Sequence, residues 1–256
     1  MPDISIAVLA HNEAHMLEGA LKSVSWAEDV VVVDAASTDA TGEIALRYGA
    51  TVIVEPNRSN LNVNKNIAIR TCKGPWVLVL DADERISDAL AGEIRRVIAD
   101  GSADGFLIPR RNYVLGKWIS RGSQYPDWQL RLFRKERARF GEKHVHERIQ
   151  VQGSVKELTN PMDHHPYPDI TSLIQKGKFY AGFEAGLLIE KGYKIGAGGL
   201  LWKGFIKPIF RFVRRYIFKG GFLDGAPGLM VAAFDGWNMA LRWMMVWEHY
   251  HAKKPE

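Results

Sequence analysis

The sequence predicts an α/β protein whose mostly parallel sheet becomes mixed and is followed by a helical C-terminal region. Over the first hundred residues, short β-branched runs alternate with segments of helical periodicity, which is typical of a parallel sheet covered by helices. Beyond Gly105 the expected strands are separated by charged turns, and from about Thr171 the chain is helical, then glycine-rich, then basic and aromatic. We therefore expect two domains, residues 1–167 and 168–256.

The elements follow from hydrophobic spacing. The first four expected strands are residues 4–9, 30–33, 51–54 and 76–80. Apolar residues three and four positions apart indicate the helices between them. These stripes are Leu17, Ala20, Leu21 and Val24; Ile44, Ala45 and Tyr48, ended by Gly49; and Leu90, Ile94, Val97 and Ile98, capped by Ser87. A further helix is expected over 62–71, and later strands over 106–108, 113–119 and 129–133.

Composition limits the class of protein. A chain of 256 residues, 46% hydrophobic and 25% charged, is long enough to bury a core and to be an enzyme. Its one cysteine, Cys72, excludes an internal disulfide framework and a zinc site built from several thiolates. The first residues carry no basic leader, and the best candidate for a membrane span, 228–247, contains Asp235, Asn238 and Arg242. We expect a cytoplasmic protein that does not cross the membrane.

Polar loops follow three of the expected strands, at residues 10–13, 34–39 and 81–84. Ligands of open α/β sheets bind at the carboxyl ends of the strands, although Asp and Ser also form turns and helix caps there. In the third loop Asp81 and Asp83 are one residue apart, and they repel each other unless a cation or hydrogen-bond donors lie between them. Mg²⁺ or Mn²⁺ would bind these oxygens and neutralise a pyrophosphate.

Three segments carry a family resemblance: residues 6–13 (IAVLAHNE), 32–41 (VVDAASTDAT) and 78–84 (LVLDADE). Their ordered set resembles family 2 of the glycosyltransferases over roughly the first 165 residues. The resemblance implies a GT-A fold, which is a Rossmann-like mixed sheet flanked by helices. It also implies an inverting mechanism and a nucleoside diphosphate sugar donor, which we take to be a UDP-hexose.

The same resemblance implies roles for individual residues. Asp34 and Asp81 would contact the base and ribose of the donor, and Asp83 would bind the metal at the diphosphate. Lys65 and Asn66 begin a helix where the family often places donor contacts, although they could form an exposed polar turn. The expected donor-binding residues are Ala10, Asn12, Glu13, Asp34, Asp39, Lys65, Asn66, Asp81 and Ala82, and the expected metal ligands are Asp83, Asp81 and His146.

Later segments, 127–134 (DWQLRLFR) and 144–148 (HVHER), resemble bacterial transferases that build lipopolysaccharide core and related glycans. That group more often has Glu-Asp where this chain has Pro126-Asp127. The resemblance implies a lipid-linked or lipopolysaccharide acceptor. Inverting transfer needs a carboxylate base on the side of the sugar opposite the metal, and Asp127 and Glu147 are the candidates. We expect Asp127, whose alternative role is an ion pair with Arg131.

The histidines allow two interpretations. His144, His146, His164 and His165 could bind zinc, but the spacing of one residue between the first two does not fit the common zinc motifs. A single histidine, His146, completing the site of the donor metal fits better, and a solvated or core histidine is the alternative.

Residues 191–223 contain eight Lys or Arg and no Asp or Glu, within a chain of net charge +5. Ile206, Ile209, Phe210, Val213 and Ile217 fall on one helical face, and Lys207, Arg211, Arg214 and Arg215 lie largely off it. This pattern predicts a helix at an anionic membrane surface. The alternative is a helix packed on the catalytic domain; nucleic-acid binding is not expected, because no nucleic-acid fold accompanies the patch.

The leading hypothesis is an inverting transferase, peripheral on the inner face of the cytoplasmic membrane, that moves a hexose to a lipid-linked or lipopolysaccharide core acceptor. A sugar-phosphate nucleotidyltransferase would usually have a glycine-rich phosphate loop after the first strand, where this chain has Ala10-His11-Asn12-Glu13. A non-catalytic membrane-surface protein is the alternative from another class.

Overall fold

The computed structural model describes residues 3–58, 60–141 and 149–252. The chain divides into two compact units. The first contains residues 1–110 and 127–164, and the second contains 111–126 and 165–256. The second unit thus takes in residues 111–126 besides the C-terminal region expected from the sequence.

Four parallel strands form one half of the sheet in the first unit. They are β1 (Ile4–Ala10), β2 (Asp29–Asp34), β3 (Thr51–Val54) and β4 (Trp76–Asp81), in the order β3-β2-β1-β4. In the register, Ala10 pairs with Asp34 and Leu9 with Asp81. The carboxyl ends of β1, β2 and β4 therefore meet at one edge of the sheet.

Helices cover both faces of these strands: α1 (Ala14–Ser23), α2 (Thr41–Arg47), α3 (Leu61–Thr71) and α4 (Asp88–Asp100). Side chains alternate along a strand, so Ile6 and Val8 pack in one apolar cluster, with Leu17 of α1, while Ala7 packs in the other, with Ile69 of α3. The periodic apolar faces predicted for α1 and α4 are confirmed by their buried residues. Ser87 caps α4, as expected, by accepting a hydrogen bond from the Leu90 N–H.

The rest of the sheet makes it mixed. Its strands are β5 (Glu84–Arg85), β6 (Gly105–Val114), β7 (Lys117–Trp118), β8 (Asp127–Arg134), β11 (Val155–Glu157) and β12 (Met162–Tyr167), while β9 (Ala138–Phe140) and β10 (Ile149–Val151) form a separate pair. Beyond β4 the order is β8-β6-β12-β5, and β8 is antiparallel to both β4 and β6. The predicted α/β fold with a mixed sheet flanked by helices is confirmed.

One predicted strand, 113–119, is wrong. β6 ends at Val114 and β7 turns back, so that Tyr113 pairs with Trp118. The turn residues Leu115 and Gly116 have φ of 52° and 78°, which is the geometry of a two-residue hairpin turn. Leucine rarely adopts a positive φ, so the sequence indicated a continuous strand.

The second unit is mainly helical. Its helices are α5 (Ile170–Glu190), α6 (Ala197–Leu200), α7 (Lys207–Val213) and α8 (Gly225–His251). π-helical segments, Leu201–Ile206 and Arg214–Phe218, join α6 to α7 and extend α7. Ala185, Ile195 and Val246 form a small buried cluster. Within the described ranges, no helix is both long and apolar enough to cross a membrane.

Candidate active site

Hydrogen bonds between the loops after β1 and β2 fix one side of the candidate site. The Asn12 N–H donates to Ser37 Oγ over 2.9 Å, and the Thr38 N–H donates to Asn12 Oδ1 over 2.8 Å. Asn12 has a φ of 54°, a left-handed conformation that asparagine tolerates. The Glu13 N–H donates to Thr41 Oγ1, which joins the start of α1 to the start of α2. Ala10 is buried beneath these loops.

Asp34, at the end of β2, is buried, and its Oδ1 accepts a hydrogen bond from the Ser37 N–H at 2.9 Å. A side chain on Gly42 would lie 3.0 Å from Asp34 Oδ2. Glycine at position 42 therefore leaves room around the carboxylate that the resemblance assigns to the donor.

Asp39 connects the two helices that follow these loops. Its carboxylate accepts hydrogen bonds from the Thr41 N–H and hydroxyl and from the Ala14 N–H. Burial raises the pKa of Asp39, but these hydrogen bonds outweigh it and hold the pKa below its ordinary value. Both oxygens are bound to protein donors, so the structure gives Asp39 a role in shaping the loop.

Asp81, at the end of β4, lies between two cations. Lys65 Nζ donates to its Oδ1 at 2.9 Å, and the guanidinium of Arg131, on β8, donates to its Oδ2. Burial alone would raise the pKa of Asp81, but the charges of Arg131 and Lys65 hold it well below its usual range. The carboxylate is therefore ionised and fixed in position.

Glu84 is fully buried and joins the residues around it. Its Oε2 accepts the Asp81 N–H at 3.0 Å, and its Oε1 accepts from Arg131 at 2.7 Å and from Arg110 at 3.2 Å. Burial lowers the pKa of Arg131, but the carboxylates of Asp81 and Glu84 raise it above its ordinary value.

Asp127, the candidate base, is paired with Arg110. Nε and one terminal nitrogen of Arg110 donate to Asp127 Oδ2 at 2.9 and 2.7 Å, and Gln129 donates to Oδ1 at 2.8 Å. Arg110 lies directly opposite Asp127 in the β6–β8 register. The ion-pair partner considered from the sequence, Arg131, binds Asp81 and Glu84 instead.

Asp83 lies close to a histidine of the neighbouring strand β12. His164 Nε2 is 3.5 Å from Asp83 Oδ2, and His164 pairs with Glu84 in the β12–β5 register. One small cation could contact both atoms, and Mg²⁺ and Mn²⁺ bind with few protein ligands when substrate phosphates supply the others. In the described part of the chain, no three His, Cys, Asp or Glu residues form a complete metal site.

The two expected donor contacts of α3 differ in their surroundings. Lys65 reaches Asp81, as described. Asn66 is buried, and its amide binds both the N–H and the carbonyl of Phe140. Ala82 is also buried, and its carbonyl accepts a hydrogen bond from Arg85. The expected residues Glu147 and His146 lie outside the described residues.

Comparison with known proteins decides the family. The family model described as glycosyl transferase family 2 matches residues 5–156. The chain belongs to this family. An uncharacterized glycosyltransferase of Rickettsia bellii is 32% identical over 248 residues, covering 90% of this chain and 82% of the relative. The lipopolysaccharide core biosynthesis glycosyltransferase LpsC of Rhizobium meliloti is 27% identical over 237 residues, covering 90% and 86%.

Solved structures show the same fold for this family 2 glycosyltransferase. The crystal structure of S. aureus TarS 1–349 in complex with UDP-GlcNAc aligns with a TM-score of 0.51 at 16% identity, covering 96% of this chain and 84% of that one. At that identity the likeness establishes the GT-A fold alone.

Sequence reasoning gave no role to Glu84 or Arg110 of this charged cluster, and it considered His164 only as a possible zinc ligand. Glu84 was visible as the residue after the Asp81-Ala82-Asp83 triplet. Arg110 and His164 lie in strands whose positions follow from the sheet order, which the sequence did not specify.

Proposed function

We propose that this family 2 glycosyltransferase transfers a hexose, with inversion, from a UDP-hexose to a lipid-linked or lipopolysaccharide core glycan. The observation that carries the proposal is the set of carboxylates at one edge of the sheet, with Asp81 held ionised between Lys65 and Arg131. The function named for LpsC supports the acceptor class, and the UDP-GlcNAc bound to TarS supports the donor class.

Asp34 and Asp81 would position the nucleoside part of the donor. Asp34 is buried at the end of β2 with space on the Gly42 side. Asp81 is held by two cations, so its oxygens keep one orientation. A carboxylate fixed in this way can accept hydrogen bonds from ribose hydroxyls without reordering.

Asp83, with His164 as a second ligand, would hold Mg²⁺ or Mn²⁺ together with the donor diphosphate. This assignment rests on the 3.5 Å separation of the two side chains; His146, which lies outside the described residues, stays the ligand predicted from the sequence. The ion would neutralise charge on the departing diphosphate. Asp81 would contact the donor rather than the metal ion, because each of its two oxygens already binds a cationic side chain, Lys65 or Arg131.

Asp127 would accept the proton of the acceptor hydroxyl. The acceptor oxygen then bonds to the anomeric carbon as the bond from that carbon to the diphosphate oxygen breaks, and the diphosphate leaves with the electron pair. A nearby positive charge favours the ionised form of a carboxylate, which is the form that accepts protons, and Arg110 supplies that charge. Glu147 is the second candidate for this role.

The test compares variants in a transfer assay with UDP-hexoses and Mn²⁺. We expect Asp83→Ala to lose transfer and metal-dependent donor binding, while Asp100→Ala, at an exposed site on α4, keeps both. Asp127→Asn should bind donor normally but turn over on the order of 10²-fold more slowly. Full activity of Asp83→Ala, or of wild type in excess EDTA, would refute the metal assignment. Loss of turnover in Glu147→Gln, with Asp127→Asn unaffected, would assign the base to Glu147.

The proposed acceptor class would place the protein at the inner face of the cytoplasmic membrane, because lipid-linked glycans are anchored there. We propose peripheral attachment to that surface, consistent with the basic and aromatic segment 191–223.

A further inference from the structure

Seven large apolar side chains are exposed along the helical stretch 197–218, in two rows whose members are four or eight residues apart. We call them the aromatic face: Leu201, Phe205, Ile209 and Ile217 in one row, and Trp202, Phe210 and Phe218 in the other. Ile209, Phe210 and Phe218 are 64%, 65% and 79% exposed, although such side chains are usually buried. A contiguous apolar surface of this kind marks a site that contacts another molecule.

The backbone keeps both rows on one side of the helix. An α-turn holds about 3.6 residues, so a row of every fourth residue drifts round an α-helix in one direction. A π-turn is closed by hydrogen bonds between residues i and i+5 and holds more than four residues. A row of every fourth residue therefore shifts round a π-helix in the opposite direction. π-helical geometry at Leu201–Ile206 and Arg214–Phe218 flanks α7, so the opposite drifts offset each other.

Exposed cations accompany the aromatic face. Lys207, Arg214 and Lys219 are exposed, and Arg214 stands between Phe210 and Phe218 in the second row. The other two arginines of this stretch, Arg211 and Arg215, are only partly exposed.

Those arginines, Arg211 and Arg215, pair with Asp235 of α8. These ion pairs connect the two arginines to α8, and the single carboxylate of Asp235 offsets part of their charge. The exposed cations of the stretch 197–219 are therefore Lys207, Arg214 and Lys219, which are fewer than the basic residues that the sequence contains there.

We propose that the aromatic face, with Lys207, Arg214 and Lys219, is the surface by which the helical unit docks on an anionic phospholipid bilayer. This inference deepens the proposed peripheral attachment and rests on it. Apolar side chains that enter the acyl boundary beside cations that meet the headgroups are the arrangement of an interfacial helix.

Charge favours a bilayer over a second copy of this chain. Residues 191–223 contain no Asp or Glu, so two aromatic faces in contact would bring the same exposed cations together. An anionic lipid surface instead offers the opposite charge to each of them.

Charge dependence is tested by flotation with phosphatidylcholine vesicles, with and without phosphatidylglycerol. The variant Lys207→Glu/Arg214→Glu/Lys219→Glu is compared with Arg96→Glu/Arg139→Glu/Lys156→Glu, whose three sites are exposed in the first unit. Each triple changes the net charge from +5 to −1. We expect wild type to bind the anionic vesicles, the first triple to bind at least about 100-fold more weakly, and the second to lose far less.

The apolar contribution is tested by Ile209→Ser/Phe210→Ser, with Ile174→Ser/Phe179→Ser as the control because both α5 side chains are 43% and 68% exposed. We expect roughly 10-fold or greater weakening in the first double variant alone. Melting temperatures near that of wild type would show that all four variants fold.

Three outcomes would overturn the inference: equal recovery of wild type with neutral and anionic vesicles, equal losses in both triples, or a dimer that Ile209→Ser/Phe210→Ser dissociates without any vesicle binding. Failure of the proposed catalytic function is distinguishable from these outcomes. Asp83→Ala should bind vesicles like wild type, and the first triple variant should keep transfer to a soluble acceptor.

Discussion

Glu84 connects Asp81 to the candidate base, Asp127, through two arginines. Its carboxylate contacts Arg131, which binds Asp81, and Arg110, which binds Asp127. In this group of five side chains, each charge has an opposite charge beside it, and removing one member leaves its partner without that compensation. A change at any of these residues therefore affects both ends of the chain of contacts.

Arg110 offers a test of how Asp127 is positioned. We expect Arg110→Ala to lower kcat by about 10- to 100-fold with little change in KM for the donor, because the two guanidinium hydrogen bonds to Asp127 Oδ2 that orient this carboxylate are lost. Arg110→Lys should recover part of the rate, since lysine restores the charge but not the planar fork.

Steady-state kinetics with added guanidinium ion would check this prediction. Guanidinium should restore part of the turnover of Arg110→Ala and leave wild type unchanged. A variant in which KM alone rises would instead give Arg110 a part in substrate binding.

The site could be predicted from the sequence only where its residues lie close together in the chain. Asp81 and Asp83 follow one strand, and the end of that strand identified them. The pairing of Arg131 with Asp81 joins positions 50 residues apart, and it depends on β8 lying next to β4 in antiparallel orientation. Hydrophobic periodicity gives no information on strand order, so these partners could not be predicted.

Glu93 of α4 holds the segment before β12 in place. It is buried and accepts hydrogen bonds from the Thr159 N–H and from the Asn160 N–H and side chain. Burial raises the pKa of Glu93, but these donors outweigh it and lower the pKa below its ordinary value. The ionised form therefore stabilises the fold.

The sign of the pH dependence follows. Because the folded pKa is lowered, the stabilisation is fully present above the unfolded pKa of about 4.3 and is lost as pH falls through the folded value. We expect Glu93→Gln to reduce the free energy of unfolding by about 1–3 kcal/mol at pH 7, with the difference closing below about pH 4. Urea unfolding at pH 7 and below about pH 4 measures this difference in the free energy of unfolding, with the exposed Glu157→Gln as control. A difference that does not change with pH would contradict the prediction.

Glycines decide how closely the helices of the second unit pack. A Cβ on Gly228 of α8 would overlap the carbonyl oxygen of Gly221, whereas a Cβ on Gly186 of α5 would meet nothing within 4 Å. We expect Gly228→Ala to destabilise the protein by about 1–3 kcal/mol and Gly186→Ala to stabilise it by about 0.5–1 kcal/mol. Opposite shifts in melting temperature would confirm the prediction, and equal shifts would refute it.

The strands and helices of the parallel half of the sheet could be predicted, because the strands are short β-branched runs and the helices have apolar residues three and four positions apart. The hairpin at Leu115 did not, since a leucine at positive φ looks like any other strand residue. The π-helical segments of the second unit were equally invisible, because the sequence pattern does not distinguish π-turns from α-turns.

The two units differ in how their charges are compensated. In the first unit, Lys65, Arg110 and Arg131 are matched by Asp81, Glu84 and Asp127. In the second unit, residues 191–223 carry eight basic side chains and no acidic ones. The excess positive charge of the chain thus belongs to the second unit.

This uneven distribution means that ionic strength should separate transfer from the proposed membrane association. Salt screens exposed charges strongly and buried, paired charges weakly. As KCl is raised from about 0.05 to 0.5 M, we expect vesicle association to fall steeply while transfer to a soluble acceptor changes little; parallel loss of both would contradict this. In such a titration the enzyme would pass from a surface-bound to a freely diffusing catalyst without any substitution in its sequence.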